Sequence, residues 1–226
     1  MDIAMSRQEQ LRGWIFWCVS IFVLSTLLNS ANSLFPTPLS ATELNLLYFS
    51  LSFAGAVLVF RKFLWKSLQE AVKIPLRCLL TVLIGYGVYR LAGILVGMGI
   101  LRIYPEFYNV NDSTLSTLSQ EHRVFMAIAL ILLVPVYEEL FYRGLFFRGF
   151  YQKSPVVAYG ISVCIFGLIH IMGYIGTYSP LLLLLCFVQY LPAGIVLALA
   201  YEKTDTIITP MLLHMTINLI GFLTMR

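Results

Sequence analysis

Long apolar runs separated by short polar stretches dominate this chain. Seven runs reach the length of about 20 residues that a helix needs to cross a bilayer. They cover residues 11–34, 44–64, 76–101, 124–150, 156–175, 181–201 and 207–225. The pattern predicts an all-α, polytopic transmembrane helical bundle of about seven spans; an eighth span or a re-entrant stretch would change the parity. Pro36 and Pro38 end the first run. Pro75, Pro155, Pro180 and Pro210 stand at or near helix starts, where proline is tolerated. Pro135 and Pro192 fall inside runs and predict kinks or freed carbonyls.

The composition agrees with that reading. Of 226 residues, 59% are hydrophobic and 12% charged, against about 25% charged in a soluble domain. The net charge of +4 reflects where the cations sit and marks no nucleic-acid surface. Arg7, Arg12, Arg61, Lys62, Lys66, Lys73, Arg77, Arg148, Lys153 and Lys203 fall on one side of the alternating spans; Arg102, Arg123 and Arg226 fall on the other. Cytoplasmic loops carry the excess of Lys and Arg. The expected protein is therefore integral and multi-pass, with its N-terminus cytoplasmic, its C-terminus outside and its site opening inward. The first run exceeds a signal-peptide core and is expected to be retained. Cys18, Cys78, Cys164 and Cys186 lie in apolar runs without metal spacing and read as buried small hydrophobes. In the longest outer loop, 102–123, Asp112-Ser113-Thr114 offers a helix N-cap, and Leu115 and Leu118 give a short surface helix one apolar face.

Against this background one stretch stands out. Pro135-Val136-Tyr137-Glu138-Glu139-Leu140-Phe141-Tyr142-Arg143 places two acids and a guanidinium inside an apolar run. A charge at bilayer depth costs about 2.5–3.5 kcal/mol on insertion scales, and such residues read by default as functional. Glu139 and Arg143 are i, i+4 and can pair on one face. Glu138 is rotated about 100° away. Phe166-Gly167-Leu168-Ile169-His170 and His214-Met215-Thr216-Ile217-Asn218 supply the other polar residues inside spans. Counted at 1.5 Å per residue from the inner side, Glu138, His170, His214 and Asn218 lie roughly 10–21 Å deep. Matched depth on three helices predicts one polar site.

That set suits water activation. A buried carboxylate can serve as general base, with an imidazole to hold the water. An imidazole and an amide on another helix can donate to a developing oxyanion. No lone Ser or Cys shows an evident base partner of the triad kind, and Ser162 and Cys164 stay open as alternative nucleophiles. Two His and two Glu are adequate zinc ligands, but Asn is a poor one and the Arg143 charge opposes a cation. The expectation is therefore no cofactor, with zinc the less favoured option.

At these residues the sequence resembles the CPBP family of CAAX-processing and bacteriocin-processing (Abi) intramembrane proteases. The matching motifs are Glu138-Glu139-x-x-x-Arg143, Phe166-x-x-x-His170 and His214-x-x-x-Asn218. The resemblance implies a glutamate-dependent endopeptidase. Glu138 and His170 would bind and activate water, and His214 and Asn218 would form the oxyanion hole. It also divides one integrated membrane domain into N-terminal helices of uncertain role, 1–110, and a catalytic core, 111–226. The partners it implies are the lipid bilayer and an apolar, lipidated or transmembrane peptide or protein substrate, with no nucleic acid. Two other functions use the same residues differently. One is a non-catalytic scaffold or immunity protein of the same fold; the other is a proton-coupled carrier relaying protons through Glu138 and Glu139.

Tyr137, Phe141, Tyr142, Phe146 and Phe147 line a groove or pack against lipid and neighbouring helices. Gly144, Gly149, Gly167 and Gly194 are expected to let helices approach closely.

Overall fold

A computed structural model describes residues 5–224. The helices are α1 (Arg7–Asn32), α2 (Ala41–Val59), α3 (Arg61–Lys73), α4 (Pro75–Ile103), α5 (Val110–Glu121), α6 (Arg123–Tyr151), α7 (Pro155–Met172), α8 (Pro180–Thr204) and α9 (Ile208–Thr224). Among the described residues, α1, α2, α4, α6, α7 and α8 are long and apolar enough to cross a membrane. The seventh expected span is α9, an apolar helix of 17 residues, about 26 Å long. The fold is the all-α polytopic bundle that the hydropathy pattern predicts.

Local chemistry sets the helix ends. Ser6 with Glu9 and Ser40 with Glu43 form reciprocal capping boxes that start α1 and α2, satisfying amide donors that the first turn would leave orphaned. Pro75, Pro155 and Pro180 open α4, α7 and α8, and Ser154 and Ser179 cap the latter two.

The second apolar run stops at Val59 rather than continuing to residue 64. Phe60 (φ −100°, ψ 15°) leaves the helical conformation and breaks the backbone there. Arg61 and Lys62 follow at once, and cations are costly in hydrocarbon. The chain turns into α3, which packs Phe63, Ser67 and Ala71 inward and turns Trp65, Leu68 and Val72 outward.

Two further expectations are corrected. The cap of α5 is Asn109, whose side chain accepts from the Asn111 and Asp112 amides. Asp112 thus sits inside the first turn, where a carboxylate suits the helix dipole. Cys78 and Cys186 are buried, but Cys18 and Cys164 are exposed, on outward faces where a thiol is apolar enough to meet lipid.

The bundle has two distinct ends. At one, the Phe63 amide donates to Glu9 (2.9 Å) and the Thr206 hydroxyl to the Ser67 carbonyl (2.7 Å). Tyr151 and Tyr159 both donate to Glu202 there. At the other, the Ser40 hydroxyl donates to Glu121 (3.1 Å) and Thr42 to the Leu118 carbonyl (3.1 Å). The Thr42 and Ser40 hydroxyls hold the exposed Glu121 carboxyl below the usual carboxylate range. All ten Lys and Arg residues grouped in the sequence analysis lie at or near the α3 end; Arg102 and Arg123 lie at the α5 end.

Helices α6 and α8 form the core. Of the apolar window of each, 56% is buried, against 6% in α4, which faces outward over most of its length. The aromatic residues after Glu139 pack against protein rather than lipid. Phe141 meets Phe16 and Phe60, Tyr142 meets Phe166, Phe146 meets Trp14 and Trp17, and Phe147 meets Tyr159. Gly194 lets α7 approach α8: a Cβ there would stand 3.0 Å from Val163 Cγ1 and 3.4 Å from its Cα. Gly149 plays no such part, since a Cβ there would meet nothing within 4 Å.

Candidate active site

Helix α6 carries the acids and is not a uniform α-helix. Residues Ala129–Leu133 and Leu140–Phe147 are wound in the wider π form on either side of Val134–Glu139. Such insertions re-aim side chains and recur at functional sites. In the first of them the Val134 amide bonds to the Ala129 carbonyl. The next amide in that register would belong to Pro135, which has none. The Leu130 carbonyl is left for another donor, and Asn218 Nδ2 takes it at 2.8 Å.

The two glutamates point differently. Glu139 is fully buried, and its Oε1 accepts from Arg143 Nη1 at 3.1 Å and pairs with His214 Nδ1 at 2.8 Å. Arg143 is held further by donating from Nη2 to the Gly194 carbonyl at 2.9 Å, and its guanidinium carbon lies 4.7 Å from the centre of the Phe166 ring. Glu138 lacks such a clamp. Its Oε2 has no hydrogen bond among the described residues and stands 3.9 Å from His214 Nε2, beyond hydrogen-bond length.

Both histidines are oriented through Nδ1. In His170 that nitrogen faces the Phe166 carbonyl at 2.7 Å; a carbonyl only accepts, so Nδ1 carries the proton and Nε2 keeps a lone pair. In His214 the Nδ1 proton goes to Glu139. Each imidazole therefore has its Nε2 left for the cavity.

That cavity has a volume of about 660 Å³ and is lined by Glu138, His170, His214 and Asn218 among others. Glu139 and Arg143 lie behind its wall as supports. Helices α1 and α2 contribute Asn29, Asn45 and Tyr48 to the lining. All six residues expected at the site from sequence are thus brought together, four on the cavity and two behind it. Ser162 instead donates to the Tyr142 carbonyl (2.8 Å), and Cys164 is exposed.

The family match agrees with this arrangement. Residues 120–220 match the model of the type II CAAX prenyl endopeptidase Rce1-like family. Over that region the chain is similar to the Rce1-like family. No curated protein and no solved structure matches the chain. The Rce1-like region begins beside α6 and ends just past Asn218, so it contains every motif quoted above.

Around the Rce1-like motifs the fold adds residues that spacing alone does not reveal. The Tyr190 ring lies against His170, with centroids 4.2 Å apart and planes 31° apart. Its hydroxyl is tied to α5, within 3.1 Å of Asn109 Oδ1, Asn111 Nδ2 and Asp112 Oδ1. Asn109 Nδ2 also donates to Gln189 at 2.8 Å. A lone tyrosine in an apolar run carries no sequence signal for such a role; the polar Asn-Val-Asn-Asp stretch was the available hint.

The cavity opens at the α5 end. Its lining runs from the buried Glu138 and His214 out to the exposed Asn29, Asp112 and Gly173. The α3 end is closed by Phe60, Phe63, Phe147, Tyr201 and Ile207, each 1% exposed or less. The expectation of a site opening toward the cationic end is therefore corrected. Counting depth from the cationic end concealed that His170 stands only two residues from the opposite end of α7.

Among the described residues no three His, Cys, Asp or Glu side chains are grouped to hold a metal. One nitrogen of His214 and one oxygen of Glu139 are already spent on each other and on Arg143.

Proposed function

We propose that this protein is an intramembrane endopeptidase that hydrolyses a peptide bond in a membrane-associated, lipidated or prenylated protein or peptide. The observation that carries this reading is the division of labour between adjacent glutamates. Glu139 is committed through Oε1 to Arg143 and His214, while Glu138 lines the cavity and comes no closer than 3.9 Å to His214, its ion-pair partner. The Rce1-like match over residues 120–220 supports a CAAX-type protease in general.

The residues divide the reaction as follows. Glu138 takes a proton from water while the water oxygen bonds to the scissile carbonyl carbon. The Nε2 lone pair of His170 holds that water in line. The carbonyl oxygen becomes an oxyanion facing His214 and Asn218. One amide hydrogen of Asn218 is held by Leu130; the other remains for the oxyanion. His214 faces it with Nε2, its ring held through Nδ1 by Glu139. The tetrahedral intermediate then breaks its C–N bond, and the proton on Glu138 passes to the leaving amine. No step uses a metal.

The test is the purified protein in detergent with a panel of prenylated and membrane peptides, read by mass spectrometry. A defined cleavage that disappears in Glu138→Gln is the expected result. Cleavage unchanged in Glu138→Gln removes the assignment, and no cleavage of any peptide favours the scaffold or carrier.

A further inference from the structure

The direction in which the cavity opens and the distribution of charge have a joint consequence for the substrate. We propose that the site is served from the extracytoplasmic face, so that its substrate is an exported or translocated peptide or protein. This rests on the proteolytic reading above and specifies the face from which the substrate of that site arrives.

Two independent observations meet here. The first is charge. Ten of the fifteen Lys and Arg residues lie at or near the α3 end, and among the described residues only Arg102 and Arg123 flank spans at the other. Lys and Arg in short loops near span ends fix orientation, and the richer side is cytoplasmic. Helix α3 strengthens the assignment. Arg61, Lys62, Lys66 and Lys73 accompany an outward apolar stripe of Trp65, Leu68 and Val72, which are 61%, 41% and 70% exposed. Basic residues around a half-buried apolar face suit the headgroup layer of an anionic leaflet.

The second observation is closure. Beneath α3 the chain is packed shut: Thr206, Ile207 and Thr209 have no exposed surface, and Thr206 is bonded to the α3 backbone. The lining of the cavity runs out to Asn29, Asn45, Asn111 and Asp112 at the other end. Those side chains offer amide donors and acceptors at the depth where an extended peptide has unpaired main-chain groups. The inner wall at Tyr48, Phe49, Leu130 and Val134 is apolar and suits a hydrophobic or lipid-bearing side chain. A chain entering from the cytoplasm meets the packed aromatic residues of the α3 end instead.

The experiment adds single cysteines at positions outside the polar site: Glu106→Cys in the loop before α5, Gly173→Cys at the cavity mouth and Gln69→Cys on α3. All three positions are exposed, and a Cβ at Gly173 meets nothing within 4 Å. Intact cells expressing the full chain are treated with a membrane-impermeant maleimide, and the modified residue is identified by mass spectrometry, so the native cysteines stay in place. Labelling of Glu106→Cys and Gly173→Cys without permeabilisation, and of Gln69→Cys only after it, is expected. Gln69→Cys labelled from outside overturns the orientation. Gly173→Cys labelled only after permeabilisation, with Glu106→Cys labelled from outside, overturns the opening. The proteolytic reading fails separately, through loss of any cleavage in detergent. In sealed proteoliposomes a cleaved lipopeptide is expected to be cut only from the face on which Glu106→Cys is labelled.

Discussion

Asn218 on α9 and Leu130 on α6 are joined by a 2.8 Å hydrogen bond that exists because Pro135 cannot make it. The wide turn at Ala129–Leu133 passes the Leu130 carbonyl to a position whose amide is missing, and the Asn218 side chain fills the place. This bond aims the second amide hydrogen of Asn218 and crosslinks two helices of the site. Removing Asn218 leaves a buried carbonyl unsatisfied, which costs about 1–3 kcal/mol. Removing an oxyanion donor costs about 10²–10³ in turnover. Asn218→Ala should therefore lose both stability and turnover. Pro135→Ala restores an amide in register with Leu130. The double variant should recover thermal stability and remain slow. Recovery of turnover in the double variant would show that Asn218 acts only as a strut.

The two adjacent glutamates should separate cleanly. Glu139 binds Arg143 and His214 at once, and breaking a buried ion pair by removing one partner costs about 3–5 kcal/mol. Glu139→Gln should lower thermal stability or yield as well as activity. Glu138→Gln keeps the shape and removes the base, so it should fold normally and be inactive. Melting curves beside turnover for both variants decide the matter. A stable, inactive Glu139→Gln with an unstable, active Glu138→Gln would exchange the two roles.

The sequence already showed the spans, because twenty apolar residues leave a chain few alternatives in lipid. It also showed the pairing of Glu139 with Arg143, since i, i+4 geometry is local. Pro135 announced a freed carbonyl without saying what would take it. The break at Phe60 was hidden because Phe63 and Leu64 resume the apolar run directly after Arg61 and Lys62. The partner of Leu130 and the stacking of Tyr190 on His170 join residues 88 and 20 positions apart, and periodicity carries no information at that range. The face on which the cavity opens was equally invisible. It depends on which end of the bundle the aromatic residues close, a matter of packing rather than of any one helix.

Hydrolysis should survive metal removal. The Arg143 guanidinium stands beside Glu139, and the third corner of the site is the amide of Asn218 rather than a ligand. Extensive dialysis against a strong zinc chelator should leave cleavage of the best peptide unchanged. Loss of activity restored by zinc alone would instead make Glu138, His170 and His214 the candidate ligands.

Tyr190 should act as a positioning residue for His170. Its ring packs 4.2 Å from the imidazole centroid, limiting rotation about the bond that the Phe166 carbonyl already restrains from the other side. Its hydroxyl anchors that ring to Asn109, Asn111 and Asp112 on α5, so α5 is coupled to the water-holding nitrogen through one side chain. Tyr190→Phe keeps the stacked ring and gives up the anchor; Tyr190→Ala gives up both. If the ring is what holds His170, turnover should fall steeply in Tyr190→Ala, with KM for a short peptide little changed, and Tyr190→Phe should restore most of it. The pH profile adds a readout that packing damage alone does not move. A loosened His170 should shift the acid limb of kcat in Tyr190→Ala, and the phenylalanine variant should return it. Equal loss in both variants, with KM rising in step, would assign Tyr190 to substrate binding through its hydroxyl.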